Sequence, residues 1–223
     1  MISLLAQFVL VASSFAAEIP KEPFSVWAGN GEVEFRGPDR KIKKLVIDVG
    51  QSTVKFVRGG PGVVIVSHAI ASGVSREAAI HAYQGSLRMG EEGERNDETM
   101  TFTAATVLDG AVDSNLTVTL PVGPAVELKA LDRDVILEGV IVPGLQIETR
   151  AGSVRLTSVS NVGDSSVVTR GGSVVLEKNL EALGVITIEI KGKGKRVGKL
   201  PAKPTPPGKL KVSVVDGSVV LRR

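Results

Sequence analysis

The 223-residue sequence predicts an all-β fold, a single-domain β-solenoid-like stack of short strands wound in coils of about 20 residues. Three observations carry that expectation. Apolar and polar side chains alternate over short runs, which buries one face of a strand and leaves the other in solvent. Each run breaks at a turn, most often Gly-Ser, and resumes beyond it at near-constant spacing. Valine (34 residues) and glycine (25) are abundant while aromatics make up 4%, a composition suited to narrow strands joined by tight corners. A β-sandwich, whose strands also recur every 8–12 residues or so, is the alternative architecture.

In chain order, residues 1–17 carry no charged side chain and run apolar from Ile2 to Ala12 before Ser14-Phe15-Ala16. That is the pattern of a secretory signal peptide spanning 1–16, so the expected product is exported to periplasm, cell surface or medium. Residues 17–40 form a lead-in in which Trp27 and Phe35 flank Gly29-Asn30-Gly31, a hairpin-turn signal. The repetitive β-domain covers 41–223. Leu45, Ile47 and Val49 alternate, Gly50–Thr53 turns, and alternation resumes at Val54 and Phe56. The same phrase returns as Leu145–Thr149, Arg150–Ser153, Val154 and Leu156, then as Val167 and Thr169, Arg170–Ser173, Val174 and Leu176. A weaker copy turns at Leu131–Asp134, and a final copy runs from Leu210 to Val214, turns at Val215–Ser218 and continues through Val219 and Leu221. Between them, Ser75–Gln84 (SREAAIHAYQ) has a serine N-cap, an acid in the first turn and Gly85 as a stop, which predicts one short helix. An acidic loop through Glu91–Glu98 follows, then strands at Thr101–Val107 and Leu116–Leu120. A Lys/Pro-rich insertion near 191–209 lengthens the interval before the last copy.

Assembled in this way, the chain resembles the putative adhesin family, bacterial envelope domains built from repetitive β-structure. The likeness rests on the Leu45–Phe56 phrase, the SREAAIHAYQ segment and LTVTLPVG (Leu116–Gly123) leading into the regular turns of 126–176. It implies surface attachment and supplies no catalytic residue set. Where the family's commoner turns are acidic Gly-Asp, this chain has Gly-Ser, a departure that weakens the analogy to turn-borne cation binding.

The side-chain inventory narrows the chemistry. Without cysteine there is no disulfide, thiolate metal site or cysteine nucleophile. The two histidines, His68 and His81, fit no metal-ligand spacing, and no nucleophile-elbow or phosphate-loop pattern occurs in its required context. The expectation is therefore a non-enzymatic binding or structural module without catalytic residues, metal or cofactor. The alternative is a polysaccharide-active β-helix enzyme (lyase or hydrolase) built on Asp132 and Asp134, since such enzymes place carboxylate pairs on neighbouring coils.

Charge is uneven. Residues 185–223 hold ten basic groups against Glu189 and Asp216, while the chain as a whole carries a formal +3. Stacked corners would align Arg150 with Arg170, and Lys191, Lys193, Lys195 and Arg196 cluster in the insertion. These six are the candidate contacts for an acidic glycan, lipopolysaccharide or anionic membrane surface. Scarce aromatics argue against nucleic acid as a partner, and the ends of a solenoid offer edges through which copies could self-associate.

Overall fold

A computed structural model of the chain describes residues 27–36, 42–50, 52–73, 87–90, 98–104, 111–204 and 208–223. The expected helix over 75–84 and the signal segment lie outside these residues. The described chain is almost wholly β. Its repeating unit is clearest in the middle, where one coil consists of β8 (Ala125–Ala130), β9 (Val135–Glu138) and β10 (Ile141–Val142). The next consists of β11 (Leu145–Thr149), β12 (Val154–Thr157) and β13 (Ser160–Asn161). A third is formed by β14 (Asp164–Thr169), β15 (Val174–Glu177) and a 3-10 turn at Leu180–Leu183.

Each strand pairs in parallel with its counterpart in the adjoining coil, so Leu145 lies between Val126 and Ser165, and Val154 between Val135 and Val174. Coil-to-coil parallel pairing is the stack, not the sandwich. The alternation explains it. Leu45, Leu128, Ile147, Val167 and Val212 point inward along one wall, and Phe56, Leu137, Leu156 and Leu176 along the other, all buried. Burial of each such side chain is worth about 1.5–3 kcal/mol, and no single coil could supply that alone.

The outer strands complete two long sheets. On the N-terminal side are β1 (Trp27–Arg36), β2 (Lys44–Val49), β3 (Ser52–Arg58), β4 (Val64–Gly73), β5 (Leu87–Gly90), β6 (Thr99–Ala104) and β7 (Ala111–Leu120). On the C-terminal side are β16 (Val185–Lys191), β17 (Arg196–Val197), β18 (Lys209–Val215) and β19 (Val219–Arg222). One sheet runs β1-β4-β7-β3-β9-β12-β15-β19-β17 and the other β16-β18-β14-β11-β8-β2-β6-β5. Pairing is antiparallel where β4 meets β1 and β7 and where β5 meets β6.

Two features depart from the sequence reading. Gly29-Asn30-Gly31 is no hairpin turn, because β1 runs straight through it in antiparallel register with all of β4. Only two residues of β1 precede Gly29, too few for a hairpin arm, whereas β4 offers a ten-residue partner. Coil order also differs from chain order. The final repeat, β18 with β19, is not the end of the stack but fits between β14/β15 and β16/β17. The chain builds its terminal coil first, with 185–197, and then returns to fill the slot it skipped.

The corners show why Gly-Ser recurs. A Cβ at Gly152 would stand 1.8 Å from the Arg133 carbonyl oxygen, and one at Gly172 would stand 2.1 Å from that of Gly152. Adjoining corners thus nest too closely for a side chain at this position. The residue after each corner glycine, and Asp134 after Arg133 at the equivalent place, then supplies an acceptor. Asp134 Oδ1 accepts the Ser153 N–H (3.0 Å), Ser153 Oγ that of Ser173 (3.4 Å), Ser173 Oγ that of Ser218 (3.3 Å) and Ser218 Oγ that of Lys195 (3.5 Å).

Candidate functional site

Arg150 and Arg170 follow the last residues of β11 and β14, and the Arg170 N–H donates to the Arg150 carbonyl at 3.1 Å. They stack as the turn alignment implies. Arg133, in the corner of the preceding coil, lies against Gly152, two positions along from Arg150. Both arginines meet an acid. Arg150 Nε and Nη2 donate to the two oxygens of Asp132 at 2.9 and 2.5 Å, and Arg170 Nη2 lies 3.6 Å from Glu148 Oε1. The Arg150 hydrogen bond, aided by its charge, holds the Asp132 carboxyl below its ordinary range, while Asp132 raises the Arg150 guanidinium in turn. The positive charge of this pair of corners is therefore largely balanced within the fold.

The same contacts bear on Asp132 and Asp134 as a catalytic pair. A general acid for glycosidic cleavage needs a raised pKa, and Asp132 is shifted the other way. Asp134 is engaged in holding the Ser153 amide. His68 falls on β4, opposite Glu32 and Asn115 in register, and His81 lies outside the described residues. Among the described residues no group of three or more His, Asp or Glu side chains is placed to hold a metal.

The other four candidates come together at the C-terminal end of the stack. Lys191 closes β16, Lys193 and Lys195 occupy the corner, and Arg196 opens β17, the edge strand of its sheet. The corner is fixed to the coil beneath. Asp216 Oδ1 accepts the Lys193 N–H at 3.0 Å, the Lys191 carbonyl accepts the Asp216 N–H at 2.9 Å, and the Lys195 carbonyl accepts the Val219 N–H at 3.0 Å. Arg196 pairs with Val219, so it occupies the column that Val135, Val154, Val174 and Val219 fill in the buried coils. With no further coil on β17, that position is exposed and carries a charge.

No Asp or Glu occurs between Glu189 and Asp216 in the sequence. Lys211 pairs with Glu189 at 3.1 Å, and this hydrogen bond lowers the Glu189 pKa. Lys191, Lys193, Lys195, Arg196, Lys199 and Lys203 have no ion-pair partner among the described residues. Nearby, a shallow cavity of about 300 Å³ is lined by Asp164, Val185, Thr187, Glu189, Lys209 and Lys211.

Sequence reasoning missed an apolar strip at this end. Val175, Val220 and Val197 are aligned across β15, β19 and β17 on the outer face, and Val197 is 46% exposed. Each follows the inward residue of its strand, so alternation marks it as outward. Which coils adjoin could not be read from sequence.

No family model matches the chain, and no curated protein matches it in sequence. Solved structures do match. A crystal structure described as a "putative cell adhesion protein" from Clostridium sporogenes covers 86% of this chain and 99% of its own, with a TM-score of 0.62 at 10% identity. The chain has the fold of that protein. A "putative adhesin" from Bacteroides fragilis covers 85% and 96% at 10% identity with a TM-score of 0.35. A "putative lipid binding protein" from Parabacteroides distasonis covers 86% and 96% at 11% identity with a TM-score of 0.32. The resemblance read from the Leu45–Phe56 phrase, the SREAAIHAYQ segment and Leu116–Gly123 is thus matched in fold by a solved protein over most of both chains.

Proposed function

We propose that this chain is an exported, non-enzymatic surface module whose rigid β-stack presents a basic end to an anionic surface. Residues 1–16 serve as its export signal in this reading. The single observation that carries it is the concentration of unpaired cations on 191–203, in a stretch with no acidic residue of its own. Each well-placed Lys or Arg near an anionic surface contributes about 1 kcal/mol, so six can supply useful attachment. Arg150 and Arg170 contribute less, because Asp132 and Glu148 already offset them. The name of the clostridial structure is in keeping with attachment.

Retention on an immobilised polyanion such as heparin tests the reading. Replacing Lys191, Lys193, Lys195 and Arg196 with alanine should move elution to markedly lower salt, since fewer counterions are released on binding. Replacing Arg150 and Arg170 should move it much less. Equal retention of the four-fold variant and the native chain overturns the assignment of the basic end.

A further inference from the structure

We infer that the surface met by the basic end is a lipid bilayer bearing anionic phosphate headgroups. This rests on the reading of that end as an anion contact and adds what the partner must be.

A soluble polyanion requires cations alone. This end also carries the outward strip Val175–Val220–Val197, which runs to the open edge of its sheet and becomes half-exposed at Val197. Lys195 and Arg196 immediately precede Val197 in the chain, and Lys199 follows two residues later. Exposed valine ringed by cations is the composition of an interfacial surface, in which basic groups meet headgroup phosphates and apolar groups enter the acyl boundary. The segment 190–215 contributes no Asp or Glu; the acids beside it are Asp216, whose Oδ1 accepts the Lys193 N–H, and Glu189, which pairs with Lys211, so the six cations outnumber them.

The platform is also rigid where it matters. The Lys193 and Lys195 amides are held by Asp216 and Ser218, and Arg196 and Val197 pair with Val219 and Val220. Contact with a flat surface therefore orders little that is not ordered already. Arg196 has a second consequence. A charge in the column where the buried coils place valine prevents another coil from packing on this end, leaving it for a partner that accepts charge. The attachment proposed is peripheral, through the basic rim and Val197; among the described residues no helix is long and apolar enough to cross a membrane.

Co-sedimentation with phosphatidylcholine vesicles, with and without phosphatidylglycerol, tests the inference against heparin retention. The native chain should pellet with the phosphatidylglycerol vesicles and stay in solution with phosphatidylcholine alone. The double variant Val197→Ser/Val220→Ser keeps the charge and should lose about tenfold in vesicle partitioning, by removal of apolar contact, with heparin retention unchanged. Val197→Leu should strengthen partitioning. Val122→Ser, at an exposed valine on the turn between β7 and β8, should leave it unchanged. Heparin retention without vesicle binding, or vesicle binding indifferent to both valines, overturns the lipid assignment and leaves the basic end an anion contact. Failure to bind either matrix overturns both.

Discussion

Ser173 Oγ accepts a hydrogen bond from the Ser218 N–H at 3.3 Å, across 45 residues of sequence but one step of the stack. The intervening segment forms the terminal coil, so the last repeat has a neighbour on each side. β18 pairs with β14 on one side and β16 on the other, and Leu210, Val212, Val214 and Val219 are buried as thoroughly as residues of the central coils. Nothing in the composition of Leu210–Leu221 marks this, because the inward pattern of an interior coil and of an end coil is the same.

That placement makes the last repeat a keystone. Removing 208–223 should unfold 185–204 as well, since β16 and β17 lose their pairing partners together. Hydrogen exchange or limited proteolysis would report loss of protection at 185–204 with the central coils retained. In a stack whose sequence order matched its spatial order, such a deletion would leave 185–204 protected. Leu210→Ala, which opens a cavity in the same coil, should cost about 2–5 kcal/mol by denaturant unfolding.

The nested corners predict a sharp dependence on glycine. A Cβ at Gly172 would meet the Gly152 carbonyl oxygen at 2.1 Å and its carbon at 2.5 Å, both backbone atoms that move only if two coils separate. Gly172→Ala should destabilise by about 1–3 kcal/mol. Gly62→Ala, where nothing lies within 4 Å, should stay within about 0.5 kcal/mol of the native chain. Comparable urea midpoints for the two variants would contradict the nesting.

How far the sequence could lead is visible in these positions. The strand–turn–strand phrase was legible because between Val126 and Val174 it recurs at a spacing of 19 or 20 residues, and parallel register then follows from the aligned apolar columns. Arg150 and Arg170 could be aligned on the same ground. Their acids could not, because both come from the preceding coil but from different places, Asp132 from its corner and Glu148 from its strand β11, and no fixed offset links the two pairs. Ser165 is a further case. It occupies a column otherwise filled by Leu45, Val126, Leu145 and Leu210, and sequence offers no reason for a buried hydroxyl there.

The structure supplies that reason in Asn161, which is 3% exposed. Ser165 Oγ donates to Asn161 Oδ1 and accepts the Leu145 N–H, both at 2.8 Å. Asn161 Nδ2 donates to the Gly163 carbonyl at 2.8 Å and to the Lys209 carbonyl at 3.2 Å, tying the returning β18 to the central coils. Asn161→Ala strands these groups and should cost about 2–3 kcal/mol. Asn161→Asp keeps the shape but places a carboxylate oxygen against two carbonyls when ionised, and should be no milder near neutral pH. A thermal shift near zero for either variant would remove the staple from the account of how the last coil is held.

Asp132 and Arg150 make the pH dependence specific. The folded-state pKa of Asp132 lies below its ordinary value of 3.8, chiefly through the Arg150 hydrogen bond. A depressed carboxylate contributes stability that is present above the unfolded pKa and is lost as pH falls through the folded one. The difference in stability between native chain and Asp132→Asn should accordingly be constant near neutrality and shrink on acidification below about pH 4. Both groups are solvent-exposed, so the effect is small and is best read at the carboxyl itself, by NMR titration of its carbon shift. The Asp132 midpoint should lie below that of an unpaired aspartate and return toward the ordinary value in Arg150→Ala. A midpoint indifferent to Arg150 would mean that the pair does not form in solution, and would restore Arg150 as a free cation available to an anionic partner.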